Sequence, residues 1–230
     1  MFLMSTSSRR PVRHSPARPP ERRRPRRTAY HHGDLREALL KAAVDLIETR
    51  GPDGFTLREA ARTVGVTHTA PYRHFADKDA LLVAVAEDGF RGLHAAMIAR
   101  QQGLDDPRAR MQAIGIAYVE YAVAHPSHFR LMHGALADTC TDPPYLATKG
   151  RPFQALLDAI AACQAAGIIP PGPPRRWALS AWAAVHGLSE LLISGSAFHM
   201  GLVDSTATEA ARQVTADLLD GLSRAVVKNH

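Results

Sequence analysis

Three histidines in the middle of the chain, His125, His128 and His133, come closest to a metal-binding pattern. Spacings of three and five residues do not place all three side chains on one face of a helix, and no carboxylate or thiolate partner completes the set. The cysteines, Cys140 and Cys163, form no CxxC pair and could be a redox switch or simply a loop thiol and a core residue. We therefore expect neither a metal nor another cofactor.

Patterns for enzymatic catalysis are also missing from the sequence. It contains no nucleophile–base pair, no phosphate-binding loop and no carboxylates paired at helical metal-binding spacing. The acids of the Asp77-Lys78-Asp79 run are better explained by helix capping. We expect a protein that is not an enzyme.

Composition restricts the class of protein further. The chain has 230 residues, of which 46% are hydrophobic, so it can bury a substantial core. It shows no secretory signal, and no apolar run approaches the roughly 18 residues that a membrane span needs. With only two cysteines, the sequence predicts a cytoplasmic protein with no membrane partner.

Positive charge is concentrated at the N-terminus. Residues 1–30 carry nine arginines and one acid, Glu21, and the rest of the chain has a net charge of −2. Residues 31–90 alone sum to −3. The Arg/Pro/Ser composition predicts a disordered arm over residues 1–30, which either contacts DNA phosphates or is a solvated tail without a specific role.

Residues that typically begin or end helices recur through the remaining sequence. Apolar residues recur there at helical spacing, and no strand pattern occurs. This predicts an all-α fold of nine helices. Expected N-terminal caps are Asp34 with Glu37, Thr56 with Glu59, Asp77, Asp106 before Pro107, Pro174 as a first-turn proline, and Thr206 with Glu209. The predicted helices include residues 56–63, 67–74, 77–101, 106–124 and 174–195, a short one through Phe129 and Met132, and one from Phe153 to Gly167, after a turn-rich stretch at 138–146.

The stretch from Thr56 to Leu81 contains the parts of a helix-turn-helix. A capped helix is followed by a turn at Gly65, a second short helix and the start of a third. In this motif the first helix braces across the DNA backbone and the second presents its N-terminal residues to base edges in the major groove. Residues 31–76 are therefore predicted to form a DNA-binding domain. Residues 77–230 would form a second domain, with the helix at 77–101 connecting the two.

The sequence of this region resembles the DNA-binding domain of the TetR/AcrR family of transcriptional regulators. The matching residues are Thr56, Ala60, Ala61, Gly65, Val66, Tyr72, His74, Phe75, Lys78 and Leu81. The resemblance implies that base-facing or phosphate-facing positions are Thr56, Thr67, His68, Thr69, Ala70, Tyr72, Arg73, His74 and Lys78.

Residues 106–227 are similar to the family's effector-binding and dimerisation half. The runs HPSHFRLM at 125–132 and WAAVHGLSELL at 182–192 resemble one subclass with a Trp-His-Gly signature. The resemblance implies an effector pocket that includes Met97, Phe129, Met132, Phe153, Trp182 and His186, although core packing is the alternative for Phe129, Met132, Phe153, Trp182 and His186. It implies a dimer interface that includes Leu188, Leu192, Val214, Leu218 and Leu222.

These inferences together predict a homodimeric transcriptional regulator. It would repress transcription by binding a palindromic double-stranded operator, and a small-molecule effector of unknown identity would release it. The alternative is a helical protein that binds a ligand or partner protein and keeps this fold without recognising an operator.

Overall fold

The computed structural model describes residues 32–227, and the side chains of residues 35–223. The predicted arm at residues 1–30 lies outside the described residues. Within them the chain forms ten α-helices, one 3₁₀ turn and no strand, which confirms the all-α prediction. The helices are α1 (His32–Arg50), α2 (Leu57–Val64), α3 (Lys78–Gln101), α4 (Pro107–Ala124), α5 (Pro126–Met132), α6 (Ala135–Thr139), α7 (Pro143–Ala165), α8 (Pro174–Ile193), α9 (Ser196–His199) and α10 (Ala207–Val227).

Most of the predicted caps are present. The Thr56 and Glu59 capping box is complete, because the Thr56 N–H donates to the Glu59 carboxylate at 2.9 Å and the Glu59 N–H donates to the Thr56 hydroxyl at 3.3 Å. The Asp77 carboxylate accepts the Ala80 N–H at 2.8 Å, and the same reciprocal pairing as in α2 begins α10 at Thr206. Each cap satisfies backbone donors that the helix itself leaves unpaired.

The predicted cap at Asp34 is wrong. α1 already begins at His32, so Asp34 lies inside the first turn and cannot be the residue that precedes the helix. The apolar stripe that located this helix starts at Leu35 and carries no information about the turn before it. The count of nine is wrong too, because α6 and α9 are additional short helices without an apolar period, and the predicted helix at 67–74 is not an α-helix.

The start of α7 also differs from the prediction. It begins at Pro143, with Asp142 as its N-cap, ten residues before Phe153. Most residues of its first two turns are exposed, so they show no apolar stripe, and Pro152 in the helix interior resembles a helix start. The helix continues through this proline, although Pro152 has no N–H to donate to the Thr148 carbonyl.

Two hydrophobic cores share one helix. The first core packs α1, α2 and the N-terminal half of α3, with Leu39, Ala60 and Leu81 fully buried. The second core packs the C-terminal half of α3 against α4, α5, α7, α8 and α10. α3 contributes Leu81, Leu82 and Val85 to the first core, and Phe90, Leu93 and Met97 to the second.

α3 and α5 approach each other closely at Gly89. A methyl group on Gly89 would lie 2.6 Å from the sulfur of Met132 and 3.1 Å from the Cβ of His128. Met132 is fully buried, so it has little space to move. Glycine at this position therefore sets the distance between the connecting helix and α5.

The Gly89→Ala variant is expected to be less stable. Overpacking costs about 1–3 kcal/mol and the better helix propensity of alanine recovers about 1 kcal/mol, so the free energy of unfolding falls by up to about 2 kcal/mol. The matched control is Gly150→Ala in α7, where no atom lies within 4 Å and a small gain is expected. Urea denaturation followed by circular dichroism measures both. Changes of the same sign in the two variants would contradict the close contact at Gly89.

Candidate functional site

The predicted DNA-facing surface is formed by α2, the turn after it and residues 67–74, here called the recognition segment. Ala60 and Ala61 are fully buried and hold α2 against α1. Gly65 has φ of +77° in the left-handed region and reverses the chain. On the other side of the segment the Phe75 ring is buried, with the Arg36 guanidinium 5.6 Å above it.

The recognition segment is not the α-helix that the sequence predicts. It consists of a turn at residues 67–70, closed by the Ala70 N–H to the Thr67 carbonyl, and a 3₁₀ turn over Pro71–Arg73. Pro71 has no N–H to donate to the Thr67 carbonyl, so a helix that began at residue 67 would lack this hydrogen bond. The tighter hydrogen bonds that follow, from Arg73 to Ala70 and from His74 to Pro71, span three residues each.

Most of the predicted DNA contacts lie on an accessible surface. Thr67, His68, Thr69 and Arg73 are exposed, and Tyr72 leaves 50% of its surface exposed. The exposed Thr56 hydroxyl donates to the Glu59 carboxylate at 3.0 Å, so it would have to leave that partner to reach a phosphate. The hydrogen bonds from the Thr56 hydroxyl and the Thr56 backbone N–H lower the pKa of Glu59.

Three further predicted contacts are more enclosed. Ala70 and His74 are half-buried, and the Nε2 atom of His74 is buried with no hydrogen-bond partner among the described residues. Lys78 places its ammonium 5.4 Å from the Phe55 ring centre and 3.9 Å from the Asp53 carboxylate. Its cation is therefore held at the start of α3, directly after the recognition segment.

A large cavity lies in the second core, between α3, α4, α7, α8 and α10. Its volume is about 630 Å³, within the range of roughly 300–1,000 Å³ that is typical of small-molecule sites. Its walls are mainly apolar and include Phe90, Leu93, Met97, Met111 and Leu156. Four of the predicted pocket residues line it: Met97, Phe153, Trp182 and His186.

Phe129 and Met132 do not line this cavity. Both are fully buried, with 0% of their surface exposed. Phe129 packs beneath the cavity wall, its ring 5.9 Å from that of Tyr118, 4.8 Å from that of His133 and 5.2 Å from that of His186. In this structure the two residues are therefore part of the second core, because α5 turns this face towards α3 and α4.

A polar cluster (Tyr118, His133, Trp182 and His186) lies at one end of the cavity. The Trp182 indole N–H donates to the Tyr118 hydroxyl at 3.2 Å, and that hydroxyl also lies 3.0 Å from His186 Nδ1 and 3.3 Å from His133 Nε2. A hydroxyl has one proton to donate and two lone pairs. These three partners saturate it if it donates to one histidine and accepts from the other.

Burial controls protonation in this cluster. Desolvation, followed by the positive charge of a protonated His186 and of Lys149, lowers the pKa of His133 to about 4, and Asp138 opposes this shift. Desolvation also raises the pKa of the Tyr118 phenol. At neutral pH both groups are therefore uncharged, so the cluster presents hydrogen-bonding groups rather than ions.

Sequence reasoning missed four of the polar residues around the cavity: Tyr118, His133, Lys149 and Asp138. In the sequence, His133 stands out only as a possible metal ligand. The other two histidines of that group lie elsewhere, His125 with its ring 4.5 Å from that of Tyr121 and His128 3.8 Å from the Asp88 carboxylate. In the described part of the chain no group of three His, Cys, Asp or Glu residues could hold a metal ion.

The predicted dimer-interface residues lie largely within the single chain. Leu188, Leu192 and Leu222 are buried in its own second core, and Val214 and Leu218 are half-buried against that core. Leu218 also lines the cavity. The exposed apolar side chains of α8 are instead Leu179, Trp182 and Leu191, so contacts with another copy along α8 would use a different face of the helix.

The two cysteines occupy different environments. Cys163 is buried, its thiol donates to the Pro107 carbonyl at 3.3 Å, and burial raises its pKa to about 11. Such a thiol is a poor nucleophile at neutral pH. Cys140 is half-buried.

None of the helices between residues 32 and 227 has the length and apolar character to cross a membrane.

Two family models match the chain, one in each half. Residues 39–85 match "Bacterial regulatory proteins, tetR family", and residues 111–218 match "Tetracyclin repressor-like, C-terminal domain". Among curated relatives, the nucleoid occlusion factor SlmA of Marinobacter nauticus is 31% identical over 91 residues, which cover 40% of this chain and 47% of that protein. The class A tetracycline repressor from transposon 1721 of Escherichia coli is 41% identical over 71 residues, 31% of this chain and 29% of the repressor. The chain thus spans less than half the length of these curated relatives.

Solved structures extend the similarity over most of the chain. A protein of unknown function from Rhodococcus sp. RHA1 is 35% identical, with a TM-score of 0.74 over 85% of this chain and 98% of that one. The TetR family transcriptional regulator PfmR from Thermus thermophilus shares the fold at 18% identity, with a TM-score of 0.65 over 80% of this chain and 98% of PfmR. With both halves matched by family models and the same fold in a family member, the chain belongs to the TetR family of bacterial regulatory proteins.

Proposed function

We propose that this protein is a homodimeric, ligand-responsive transcriptional repressor that binds a palindromic operator. One observation carries the proposal: α3 begins beside the recognition segment and ends in the wall of the cavity. Lys78 and Leu81 belong to the DNA-facing half, and Phe90, Leu93 and Met97 line the cavity. A ligand that favours one position of this helix would change the affinity for DNA, because it binds the two conformations unequally.

The recognition segment supplies the DNA contacts in this proposal. Exposed Thr67, His68, Thr69 and Tyr72 would face base edges and sugars, and Arg73 and Lys78 would contact phosphates. A two-fold dimer would place two such segments on successive major grooves, about 34–36 Å apart. Dimerisation through α8 and α10 remains a prediction, and the exposed apolar residues Leu179 and Leu191 of α8 are candidate contacts.

The Trp-His-Gly resemblance also remains a prediction, although the cavity supports a role for the motif. Trp182 and His186 lie one helical turn apart, and both reach the Tyr118 hydroxyl. Gly187 follows His186 on α8, and no atom would lie within 4 Å of a methyl group there. The first two motif residues thus take part in the polar cluster at the cavity, which is where an effector would bind.

Operator binding is tested by selecting duplexes from a random pool with the full chain. The affinity of the chain for the most enriched duplex is then measured by fluorescence anisotropy. Tyr72→Ala and Lys78→Ala are each expected to weaken binding roughly tenfold to hundredfold, because each removes a contact worth about 1–3 kcal/mol. Arg151→Ala is the matched control, an exposed cation on α7 that should leave affinity unchanged. If no sequence is enriched and neither substitution changes the affinity for DNA, the proposal fails in favour of a partner-binding or ligand-binding protein with this fold.

The arginine-rich arm is proposed to strengthen DNA binding without reading sequence. Residues 31–90 sum to −3, so the nine arginines of residues 1–30 are needed to neutralise phosphates. Deleting residues 1–28 is expected to flatten the dependence of affinity on salt and to preserve sequence preference. The measurement is a salt titration on the selected operator and on a scrambled duplex. Loss of sequence preference would make the arm a sequence reader instead.

A further inference from the structure

One end of the cavity holds an ion pair beside the polar cluster. The Lys149 ammonium donates to the Asp138 carboxylate at 2.7 Å and to the Ala137 carbonyl at 3.3 Å. The lysine side chain is 29% exposed and that of Asp138 is 65% exposed, and both residues line the cavity. The carboxylate is therefore the more exposed partner of the pair.

The imidazole of His133 and the ion pair both belong to the cavity lining. Asp138 is the one acid, and Lys149 the one lysine, among the described residues that line the cavity. Because burial keeps His133 uncharged at neutral pH, the imidazole can contribute a hydrogen bond to a bound anion, and Lys149 contributes the charge.

Two nitrogen atoms at this end have hydrogen-bonding capacity that no described residue uses, and the Nδ1 atom of His133 is a donor in the tautomer whose Nε2 accepts the Tyr118 proton. Lys149 has three N–H groups, of which two are used by Asp138 and Ala137. His133 uses Nε2 with Tyr118, and its Nδ1 atom makes no hydrogen bond in the described part of the chain. The Tyr118 hydroxyl is already saturated by three partners. A ligand head group would therefore bind to Lys149 and His133 rather than to Tyr118.

The remainder of the cavity has no comparable polar group. Met97, Met111, Ile114, Leu156 and Leu219 surround it with aliphatic and thioether side chains. The Thr215 hydroxyl, which also reaches this region, donates to the backbone carbonyl of Ala211 at 2.7 Å. Burial of an apolar body here is favourable in proportion to its area, whereas a second charged group would lose its hydration without a partner.

We propose that the cavity binds an amphipathic monoanion, with a carboxylate on Lys149 and His133 and an apolar body against Met97, Met111 and Leu156. The assignment of this ligand as the effector rests on the proposed regulatory function. The binding itself does not, because it follows from the residues of the cavity alone. Charge-assisted hydrogen bonds to the carboxylate fix its orientation, and the apolar body supplies most of the buried area.

The test is isothermal titration of the full chain, without DNA, with the alkanoates from hexanoate to dodecanoate and with 2-naphthoate. Each is compared with the primary alcohol of the same carbon skeleton. At least one carboxylate is expected to bind at least about tenfold more tightly than its alcohol. The linear and aromatic series distinguish which apolar body fits.

Variants separate the head-group contact from general packing. Lys149→Met should abolish the preference for the carboxylate and leave alcohol binding in place, which also reports that the variant is folded. Arg151→Met, which removes an exposed cation two residues away on the same helix, should keep the preference. Asp138→Asn should tighten carboxylate binding severalfold, because it removes the competing anion from Lys149.

These measurements test the ligand class and ligand-responsive regulation separately. Equal affinity of carboxylates and alcohols, no binding of any carboxylate, or weaker carboxylate binding by Asp138→Asn would overturn the ligand class. If carboxylates bind as expected but leave the affinity for the selected operator unchanged, the ligand class stands and ligand-responsive regulation fails. If the alcohols release DNA as well as the carboxylates do, ligand-responsive regulation stands and the preference for an anionic ligand fails.

Discussion

Phe129→Ala is expected to lower the free energy of unfolding by about 3–5 kcal/mol, among the largest effects of any single truncation in this chain. Phe129 is fully buried and its ring contacts the rings of Tyr118, His133 and His186. Truncation removes the apolar area of the ring and leaves a void beneath the polar cluster. This void would adjoin Tyr118 and its three hydrogen-bond partners.

The measurement is urea denaturation at one fixed protein concentration, because the stability of a protein that self-associates depends on its concentration. Phe198→Ala is the control, because this ring on α9 is 48% exposed and its removal should change stability by about 0.5 kcal/mol or less. Phe153→Ala, at the cavity wall and half-buried, should fall between them. Similar costs for Phe129 and Phe198 would show that Phe129 is not part of the core.

Acid is expected to destabilise the protein through His133. Its pKa is lowered to about 4 in the folded chain, whereas an unfolded histidine titrates near 6.5. The unfolded state therefore takes up a proton first as the pH falls. The contribution of the neutral imidazole is complete above pH of about 6.5 and is lost as the pH falls towards 4, a change of roughly 3 kcal/mol.

His133→Gln isolates this contribution, since glutamine offers a polar atom to Tyr118 but does not titrate in this range. The difference in unfolding free energy between the wild-type chain and the variant should shrink by roughly 3 kcal/mol between pH 7 and pH 4. Denaturation curves at intervals across this range measure it. A difference that stays constant with pH would mean that His133 titrates alike in the folded and unfolded chain.

Local signals predict much of the fold. The caps at Thr56, Asp77, Asp106 and Thr206 depend on hydrogen bonds within four residues, so their side chains and spacing are visible in the sequence. The recognition segment is the local exception. A proline near the first turn is compatible with a helix, but this segment forms a turn and a 3₁₀ turn, and Pro71 cannot donate the hydrogen bond to Thr67 that would join them into one helix.

The cavity could be predicted only in part, since its residues come from six helices and from the turn after α5. Trp182 and His186 are one turn apart and stand out together, but Lys149 and Asp138 are ordinary charged residues until α6 and α7 bring them to His133. Phe129 and Met132 have the residue types of a pocket. Only the way in which α5 packs decides that they are core.

The length of α3 has a geometric consequence. Its 24 residues make a rod of roughly 36 Å, with one end in the cavity wall and the other beside the recognition segment. A tilt of about 5° about one end displaces the other by roughly 3 Å, close to the rise of about 3.4 Å for one base pair along DNA. Such a tilt is small enough to leave the hydrogen bonds of the helix and its Asp77 cap intact. A rotation that breaks no bond within the helix is thus sufficient to move the DNA-facing surface by one step of the double helix.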